Sequence, residues 1–145
     1  MNFELINGIE KLYYTFRIPK GNGKFRKITA PREELKQAQR EVMANLSHIK
    51  VSRDAMGFTE GKSIVTNAKK HIGQPFIMNI DMKDFFPSVT KDMVIAALIR
   101  EGIDSELAEK MAALCTLHGV LPQGAPSSPF LSNIVCKPMD KKISK

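Results

Sequence analysis

Apolar residues recur at helical spacing in the segment that follows Pro31. Between positions 31 and 50 the gaps between them are 3, 4, 4 and 3, which is the period of one helical face. A proline directly before this run is typical of a helix start. The pattern therefore predicts an amphipathic helix whose buried face consists of Leu35, Ala38, Val42, Leu46 and Ile49.

Two segments before this helix are rich in β-branched and aromatic residues and predict strands, at positions 12–19 and 24–30. They are separated by Lys20-Gly21-Asn22-Gly23, in which the Asn-Gly pair favours a tight turn. The sequence predicts a β-hairpin with a basic tip.

The middle of the chain is predicted as a loop over residues 52–61 followed by a helix that ends near Lys70. The apolar run 76–80 then has the character of a buried strand. Such a strand would present Asp81 at its carboxyl end.

Three further helices are predicted in the second half. Thr90 is a suitable N-cap for a helix to about residue 101, and apolar spacing indicates another over 105–117. Residues 121–129 form a loop with three prolines, after which Ser128-Pro129 would open a last helix that Pro138 should kink or end. The elements together predict a mixed α+β fold, with a β-hairpin and several helices around a short sheet in one structural unit.

Composition places the chain among soluble globular proteins, with 145 residues, 43% hydrophobic and 26% charged. It contains no run of about 18 apolar residues, and its first residues lack a leader pattern, so we expect a cytoplasmic protein with no membrane contact. Cys115 and Cys136 are expected to be reduced and buried.

Positive charge is concentrated in the first half of the chain. Residues 1–72 carry 14 basic and 7 acidic side chains, whereas residues 73–145 carry 8 of each. Aromatic residues are interleaved with the cations of positions 11–40, which is the pattern of a surface that binds a polyanion. A solvated face of a basic protein would explain the charge alone equally well.

Two motifs contain residues suited to a catalytic or binding site. The first motif covers residues 79–88, where the acidic residue Asp81 follows the predicted strand and its carboxylate oxygens suit a hard cation such as Mg²⁺. An arbitrary pair of this spacing would more often place Asp84 as a helix cap and pair Asp81 with a lysine. The second motif, 121–129, is a stiff loop in which Gly124 permits a close approach by another chain or a nucleotide.

The two motifs occur together with several others in a specific order. Ile18-Pro19-Lys20 is followed by 23–28, Gly57-Phe58, Ser63-Ile64, Asn67-Ala68, 81–88 and 121–133. This order over most of residues 17–140 resembles bacterial retron-type and group II intron-type reverse transcriptases, most closely retrons. The resemblance implies the fingers and the first part of the palm of a right-hand polymerase, with a basic fingers-like region at 1–72 and a partial palm at 73–145.

The resemblance also implies roles at matching positions. Asp81 is implied as a catalytic, metal-binding aspartate, with the Met82 carbonyl as a further ligand of a two-Mg²⁺ site. Phe86 matches the aromatic steric gate that rejects a 2′-hydroxyl, although a core phenylalanine is the alternative. The dNTP would contact Lys20, Arg26, Asp84, Phe85, Phe86, Gln123 and Gly124.

The remaining basic residues of the fingers are expected to bind the nucleic-acid backbone without reading its sequence. They are Arg17, Lys24, Lys27, Arg32, Lys36 and Arg40. The implied partners are an RNA template, a DNA primer and dNTPs, together with a structured non-coding RNA.

One family motif is missing from the 145 residues, namely the aromatic-x-Asp-Asp box that follows the second motif. Asp81 then holds at most half of a metal site, and we expect this chain alone to be inactive as a polymerase. A sheet edge and apolar palm surface would also be exposed, which favours a homodimer.

Two other functions stay open from sequence. The chain would be a non-catalytic nucleic-acid-binding module if the chemistry has been lost, or a different Mg²⁺-dependent phosphoryl-transfer enzyme built on Asp81 and Asp84. A phosphate-binding P-loop at 57–63 is excluded because three residues separate its glycines where four are required. Cys115-x-x-His118 has no second pair nearby and is not expected to bind a metal.

Overall fold

A β-hairpin follows two short 3₁₀ helices at the start of the chain. In the computed structural model, which describes residues 1–21 and 23–144, the 3₁₀ helices span Phe3–Ile6 and Ile9–Leu12. Strand β1 (Tyr13–Pro19) pairs antiparallel with β2 (Phe25–Pro31), from Tyr13 opposite Pro31 to Pro19 opposite Phe25. The predicted hairpin is confirmed, while Asn22 of its predicted turn and the last residue, Lys145, lie outside the described residues.

Helices make up most of the remainder of the described chain and confirm the α+β class. They are α1 (Glu33–Asn45), α2 (Ile64–Lys69), α3 (Phe85–Ser88), α4 (Lys91–Arg100), α5 (Ser105–Cys115) and α6 (Ser128–Ile143). The apolar face predicted after Pro31 is buried, although α1 ends at Asn45 and the last two members of that face, Leu46 and Ile49, lie in the turn beyond it.

The starts of the later helices follow their capping residues. The Thr90 hydroxyl accepts a hydrogen bond from the Met93 amide at 3.2 Å, as predicted. At α6 the prediction is wrong by one residue, because Ser127 occupies the N-cap position. Ser128 instead donates its hydroxyl to the Pro122 carbonyl at 2.8 Å and so ties the helix to the preceding loop.

Helix α6 continues past Pro138 to Ile143, so the alternative that the proline ends the helix is wrong. A proline has no amide to donate to the carbonyl four residues earlier, which belongs to Ile134. Arg100 of α4 supplies the missing donor, since its Nη2 lies 2.7 Å from the Ile134 oxygen. The interruption is therefore satisfied by a side chain from a neighbouring helix.

The hydrophobic core lies between α1, α4, α5 and α6. Its fully buried large side chains include Leu35, Leu46, Leu98, Met111, Leu114, Leu121, Leu131 and Ile134. A buried amide connects three elements within it, because Gln39 Nε2 donates to the Tyr13 hydroxyl at 2.9 Å and to the Leu114 carbonyl at 2.8 Å. The hairpin, α1 and α5 are thereby fixed to one another.

The predicted strand at 76–80 is wrong. Residues 76–82 have no regular secondary structure, and the side chains of Phe76, Met78 and Ile80 are 92%, 81% and 77% exposed. The sheet of the described residues has only two strands, β1 and β2, and neither pairs with this segment. A strand that has no partner cannot satisfy its backbone groups or bury its apolar side chains.

The two cysteines are free, and Cys115 is buried as predicted, whereas Cys136 is half-buried. Within residues 1–21 and 23–144, no helix has the length and apolar character needed to cross a bilayer.

Candidate functional site

Most of the candidate site residues line one cleft of about 380 Å³. They come from three segments that are distant in sequence: the hairpin, the stretch before and within α3, and the proline-rich loop before α6. The lining includes Lys20, Arg26, Asp81, Met82, Asp84, Phe85, Phe86 and Gln123. The fold therefore gathers all but one of the residues assigned to catalysis or to the nucleotide.

The basic side of this cleft is formed by the hairpin. Lys20 directly follows β1, and its amide donates to the Lys24 carbonyl at 2.6 Å, which fixes the base of the turn. Arg26 stands opposite Ile18 in the register. A second cleft of about 400 Å³ adjoins the first and shares Lys20, Arg26, Asp84 and Gln123 with it. Two cations thus line a continuous concave surface that favours an anion.

The acidic side of the cleft is formed by the segment that leads into α3. Asp84 has the left-handed backbone angles φ 49° and ψ 47° at the N-cap position of α3, yet its carboxylate makes no capping hydrogen bond. Its carbonyl instead accepts hydrogen bonds from the Ser88 amide and hydroxyl, at 2.9 and 3.0 Å. Asp81 and Asp84 are both exposed, and no ion pair of either is found among the described residues. Both carboxylates are therefore accessible to a ligand.

Gly124 is the site residue that does not line the cleft, because it packs against β2. A Cβ atom at this position would lie 2.7 Å from Ile28 Cγ2 and 2.9 Å from the Thr29 oxygen, and its φ is +135°. The adjacent Gln123 carbonyl accepts a hydrogen bond from the Thr29 amide at 2.8 Å. The close approach permitted by this glycine is made by the hairpin, and it holds Gln123 beside the hairpin's cations.

Three phenylalanine rings form a row that includes Phe85 and Phe86 of the cleft lining and extends to Phe58, which lies outside that lining. Phe86 is half-buried, with its ring centroid 5.4 Å from that of Phe85 and 6.3 Å from that of Phe58. Phe86 packs against the edge of the core and also lines the cleft. Its position is thus compatible with a steric gate and, in part, with a core phenylalanine.

The cations assigned to nucleic-acid binding lie on the hairpin and along α1. Arg17 and Lys27 are direct cross-strand partners, and like charges in this arrangement repel each other unless an anion is bound. On α1, Lys36 and Arg40 form surface ion pairs with Glu33 at 3.4 and 3.3 Å. Such exposed pairs contribute little to stability and can be exchanged for phosphate contacts.

The residues between 1 and 144 that the structure describes contain no cluster of three or more histidine, cysteine or acidic side chains suited to a metal. Asp81 and the Met82 carbonyl offer oxygen donors on the cleft wall. Mg²⁺ requires near-octahedral coordination by oxygen, so these donors fit part of a magnesium site and leave the other positions to water, a substrate or further carboxylates.

Sequence reasoning missed one residue of the cleft and one residue beside it. Lys83 lines the cleft between the two aspartates and adds a third cation. Phe58 contacts Phe86 although 28 positions separate them. Phe58 lies in the Gly57-Phe58 motif, so the signal was present, but only the fold reveals what its ring contacts.

Comparison with known proteins gives a consistent answer. The family model described as "Reverse transcriptase (RNA-dependent DNA polymerase)" matches residues 18–145. The chain is 38% identical to the Retron Mx162 reverse transcriptase of Myxococcus xanthus and 40% identical to the Retron Ec86 reverse transcriptase of Escherichia coli. It is also 38% identical to the Retron Mx65 reverse transcriptase of Myxococcus xanthus.

These matches cover 91%, 83% and 91% of the chain, respectively. They cover only 31%, 38% and 35% of the relatives, so the chain spans about a third of the length of these proteins.

Proposed function

Since the chain belongs to the reverse transcriptase family, we propose that it is a segment of a retron-type RNA-directed DNA polymerase, which adds dNTPs to a primer on an RNA template. The observation that carries this proposal is the cleft that brings Asp81 and Phe86 together with Lys20, Arg26 and Gln123. These residues supply the carboxylate, the aromatic surface and the cations that such a reaction requires.

In terms of architecture, we assign residues 1–72 to the fingers and residues 73–145 to the first part of the palm of a right-hand polymerase. The hairpin, residues 13–31, carries five of the cations of the first region and no acidic residue. The second region contains both chemical motifs, and α4, α5 and α6 pack behind them.

Binding of the triphosphate falls to the hairpin in this proposal. Arg26 offers a planar fork of donors and Lys20 a compact charge, and both side chains line the same cleft. Hydrogen bonds between charged groups and phosphate oxygens are stronger than neutral ones. The backbone around Asp84 and Phe85, which line the same cleft, would complete the enclosure of the phosphates.

Phe86 would select the sugar, and Gln123 would position the base; both line the cleft. The Phe86 ring would lie under the sugar and exclude a 2′-hydroxyl by contact, which favours dNTPs. Gln123 would contact the nucleotide and the templating base. Its position is fixed relative to the hairpin by the hydrogen bond between its carbonyl and the Thr29 amide.

Asp81 and the carbonyl of Met82 are the groups that would hold Mg²⁺, together with oxygens from outside the described residues. When bound, such ions lower the pKa of an attacking hydroxyl and neutralise charge on the phosphates. Asp81 would also orient the reacting groups, because it lines the same cleft as the hairpin cations Lys20 and Arg26.

The test is primer extension by the complete reverse transcriptase that contains this segment. We expect Asp81→Asn to lower the rate by about 100-fold or more, because an amide cannot replace a carboxylate as a charged oxygen ligand. Asp92→Asn, at an exposed position in the first turn of α4, is the matched control and should leave extension intact. Equal rates for both variants and the unmodified enzyme would contradict the catalytic role of Asp81.

The proposed partners are an RNA template, a DNA primer, dNTPs and a structured non-coding RNA, and the proposed location is the cytoplasm, where these substrates are available. A homodimer through the exposed apolar segment at 76–80 is part of the same proposal. The chain alone should show no Mg²⁺-dependent extension, because Asp81 needs further oxygen ligands.

A non-catalytic nucleic-acid-binding module is the second candidate, and the opposed cations Arg17 and Lys27 favour it. Binding of a single-stranded RNA by the 145-residue chain should then weaken steeply with salt and be independent of Mg²⁺. If the complete protein also binds in this way and never extends a primer, the binding module is the correct function.

A further inference from the structure

Phe58 contacts the ring of Phe86 from a segment that the proposed mechanism does not use. The two ring centroids are 6.3 Å apart with the planes tilted by 54°, and Phe85 contacts Phe86 at 5.4 Å with a tilt of 38°. Phe85 is the chain neighbour of Phe86, so it moves with the same turn of α3. Phe58 is the member of the row that is attached elsewhere in the fold.

The backbone of Phe58 is held in an uncommon conformation. Its φ is +57°, in the left-handed region that non-glycine residues rarely adopt without a compensating contact. Asn133 of α6 donates its Nδ2 to the Gly57 carbonyl at 3.0 Å, and the Thr59 hydroxyl donates to the Ala55 carbonyl at 3.1 Å. These hydrogen bonds hold the residues on both sides of Phe58, so the backbone that carries its ring is anchored beside Phe86.

The ring of Phe58 contributes little to the hydrophobic core. Its side chain is 73% exposed, and it is absent from the buried cluster and from the residues packed against that cluster. A strained backbone that displays an exposed phenylalanine beside one particular ring is more consistent with a functional contact than with a stabilising one.

We propose that Phe58 is a positioning residue for Phe86 and increases the discrimination between dNTPs and rNTPs. This inference rests on the proposed role of Phe86 as the surface that excludes a 2′-hydroxyl. With Phe58 present, the Phe86 ring has two aromatic neighbours, Phe85 and Phe58, and their contacts restrict its rotation away from the sugar. Without it, one side is open to solvent, the ring gains freedom, and a 2′-hydroxyl meets less steric resistance.

The experiment measures the ratio of kcat/KM for a dNTP to that for the matching rNTP in the complete reverse transcriptase. Phe58→Gly removes the ring and favours the backbone angle of this position, so it separates loss of the contact from loss of the loop. We expect the ratio to fall by about 3- to 10-fold, the range expected for one aromatic contact. Phe58→Tyr keeps a ring of the same shape and should retain the ratio of the unmodified enzyme.

Phe86→Ala separates this inference from the proposed function on which it rests. If Phe86 excludes the 2′-hydroxyl, Phe86→Ala lowers the ratio, and adding Phe58→Gly to it lowers the ratio no further, because the ring to be positioned is gone. A normal ratio for Phe58→Gly beside a lowered ratio for Phe86→Ala overturns the role of Phe58 alone. A normal ratio for Phe86→Ala overturns both roles.

Discussion

At the scale of single residues, Gly124 shows how the structure changes the meaning of a motif. The sequence indicates that something approaches this glycine closely, and the structure identifies it as β2, with Ile28 and Thr29 within 3 Å of where a Cβ would lie. The glycine therefore connects the hairpin to the loop that carries Gln123. Its role is structural, because the absence of a side chain allows the loop to pack directly against β2.

Gly124→Ala should lower the free energy of unfolding of the chain by about 2 to 4 kcal/mol, because the new methyl group meets packed atoms and the backbone angle is strained. The measurement is urea denaturation followed by circular dichroism.

Gly119→Ala is the matched control for this substitution. Its φ of +76° is also positive, but no atom lies within 4 Å of a Cβ built there. It should cost about 1 kcal/mol through backbone strain alone. Equal losses at the two glycines would show that packing against β2 is unimportant.

The two cysteines provide a second test at this scale. Burial raises the pKa of the Cys115 thiol to about 12 and, to a lesser degree, raises the pKa of Cys136. Only the thiolate reacts with Ellman's reagent, so near pH 8 Cys136 should react slowly and Cys115 only after denaturation. Rapid reaction of Cys115 in the folded chain, with Cys136→Ser as background, would show that the site around it opens.

The same raised pKa gives a direction for stability in alkali. The thiol of an unfolded chain ionises near pH 8.5, whereas the folded protein keeps the Cys115 proton up to about pH 12. The stabilising contribution is therefore complete below about pH 8.5 and is lost as the pH rises toward 12. In Cys115→Ala the free energy of unfolding should fall less steeply over this range.

At the scale of elements, the helix that contains Pro138 depends on a neighbour. The carbonyl of Ile134 has lost its usual intrahelical donor, and the Arg100 guanidinium replaces it. Prediction from sequence identifies Pro138 as a problem, but the solution comes from α4, which is 34 residues away from Ile134. This is the kind of long-range contact that local patterns do not contain.

Arg100→Ala should therefore destabilise the chain by about 1.5 to 3 kcal/mol, the cost of removing a charged donor from a partly buried carbonyl. In a Pro138→Ala background the restored amide can donate to Ile134, so the same substitution should cost at least about 1 kcal/mol less. A double-mutant cycle of unfolding free energies measures this coupling. Additive effects of the two substitutions would contradict it.

The starts of the hairpin strands, of α1 and of α4 were well predicted because their signals are local. The Asn-Gly pair, the Thr90 cap and the apolar spacing after Pro31 each act within a few residues. The strand at 76–80 was predicted wrongly. A strand forms only when it pairs with another strand, and the composition of a segment does not show whether a partner is present. For the same reason the gathering of the candidate site in one cleft followed from the family resemblance rather than from spacing.

At the scale of the whole molecule, charge and apolar surface are unevenly distributed. The hairpin, residues 13–31, has five cations and no acidic residue, whereas the irregular segment at 76–82 presents a run of exposed apolar side chains. An exposed apolar patch of this kind marks an interaction surface or a tendency to aggregate.

The 145-residue chain should therefore self-associate as its concentration rises, and sedimentation velocity measures this directly. Serine substitutions at Phe76, Met78 and Ile80 should abolish the association without a loss of folding, because these side chains are already exposed. Serine at Ile64 and Ile72, which are similarly exposed but lie outside residues 76–82, is the control. A chain that stays monomeric at all concentrations would remove the homodimer from the proposal.

The hydrogen bond between the Thr29 amide and the Gln123 carbonyl has a mechanical consequence for the hairpin. The hairpin is anchored there to the loop of Gln123, and between Thr29 and the first residue of β2, Phe25, the paired strands extend away from this anchor with most of their side chains in solvent. At about 3.4 Å per residue this part of the hairpin is roughly 14 Å long, and it is anchored at its Thr29 end. Any bending of the hairpin over a nucleotide would then occur between Thr29 and the hairpin tip, so that the cations near the tip move while Gln123 stays in place.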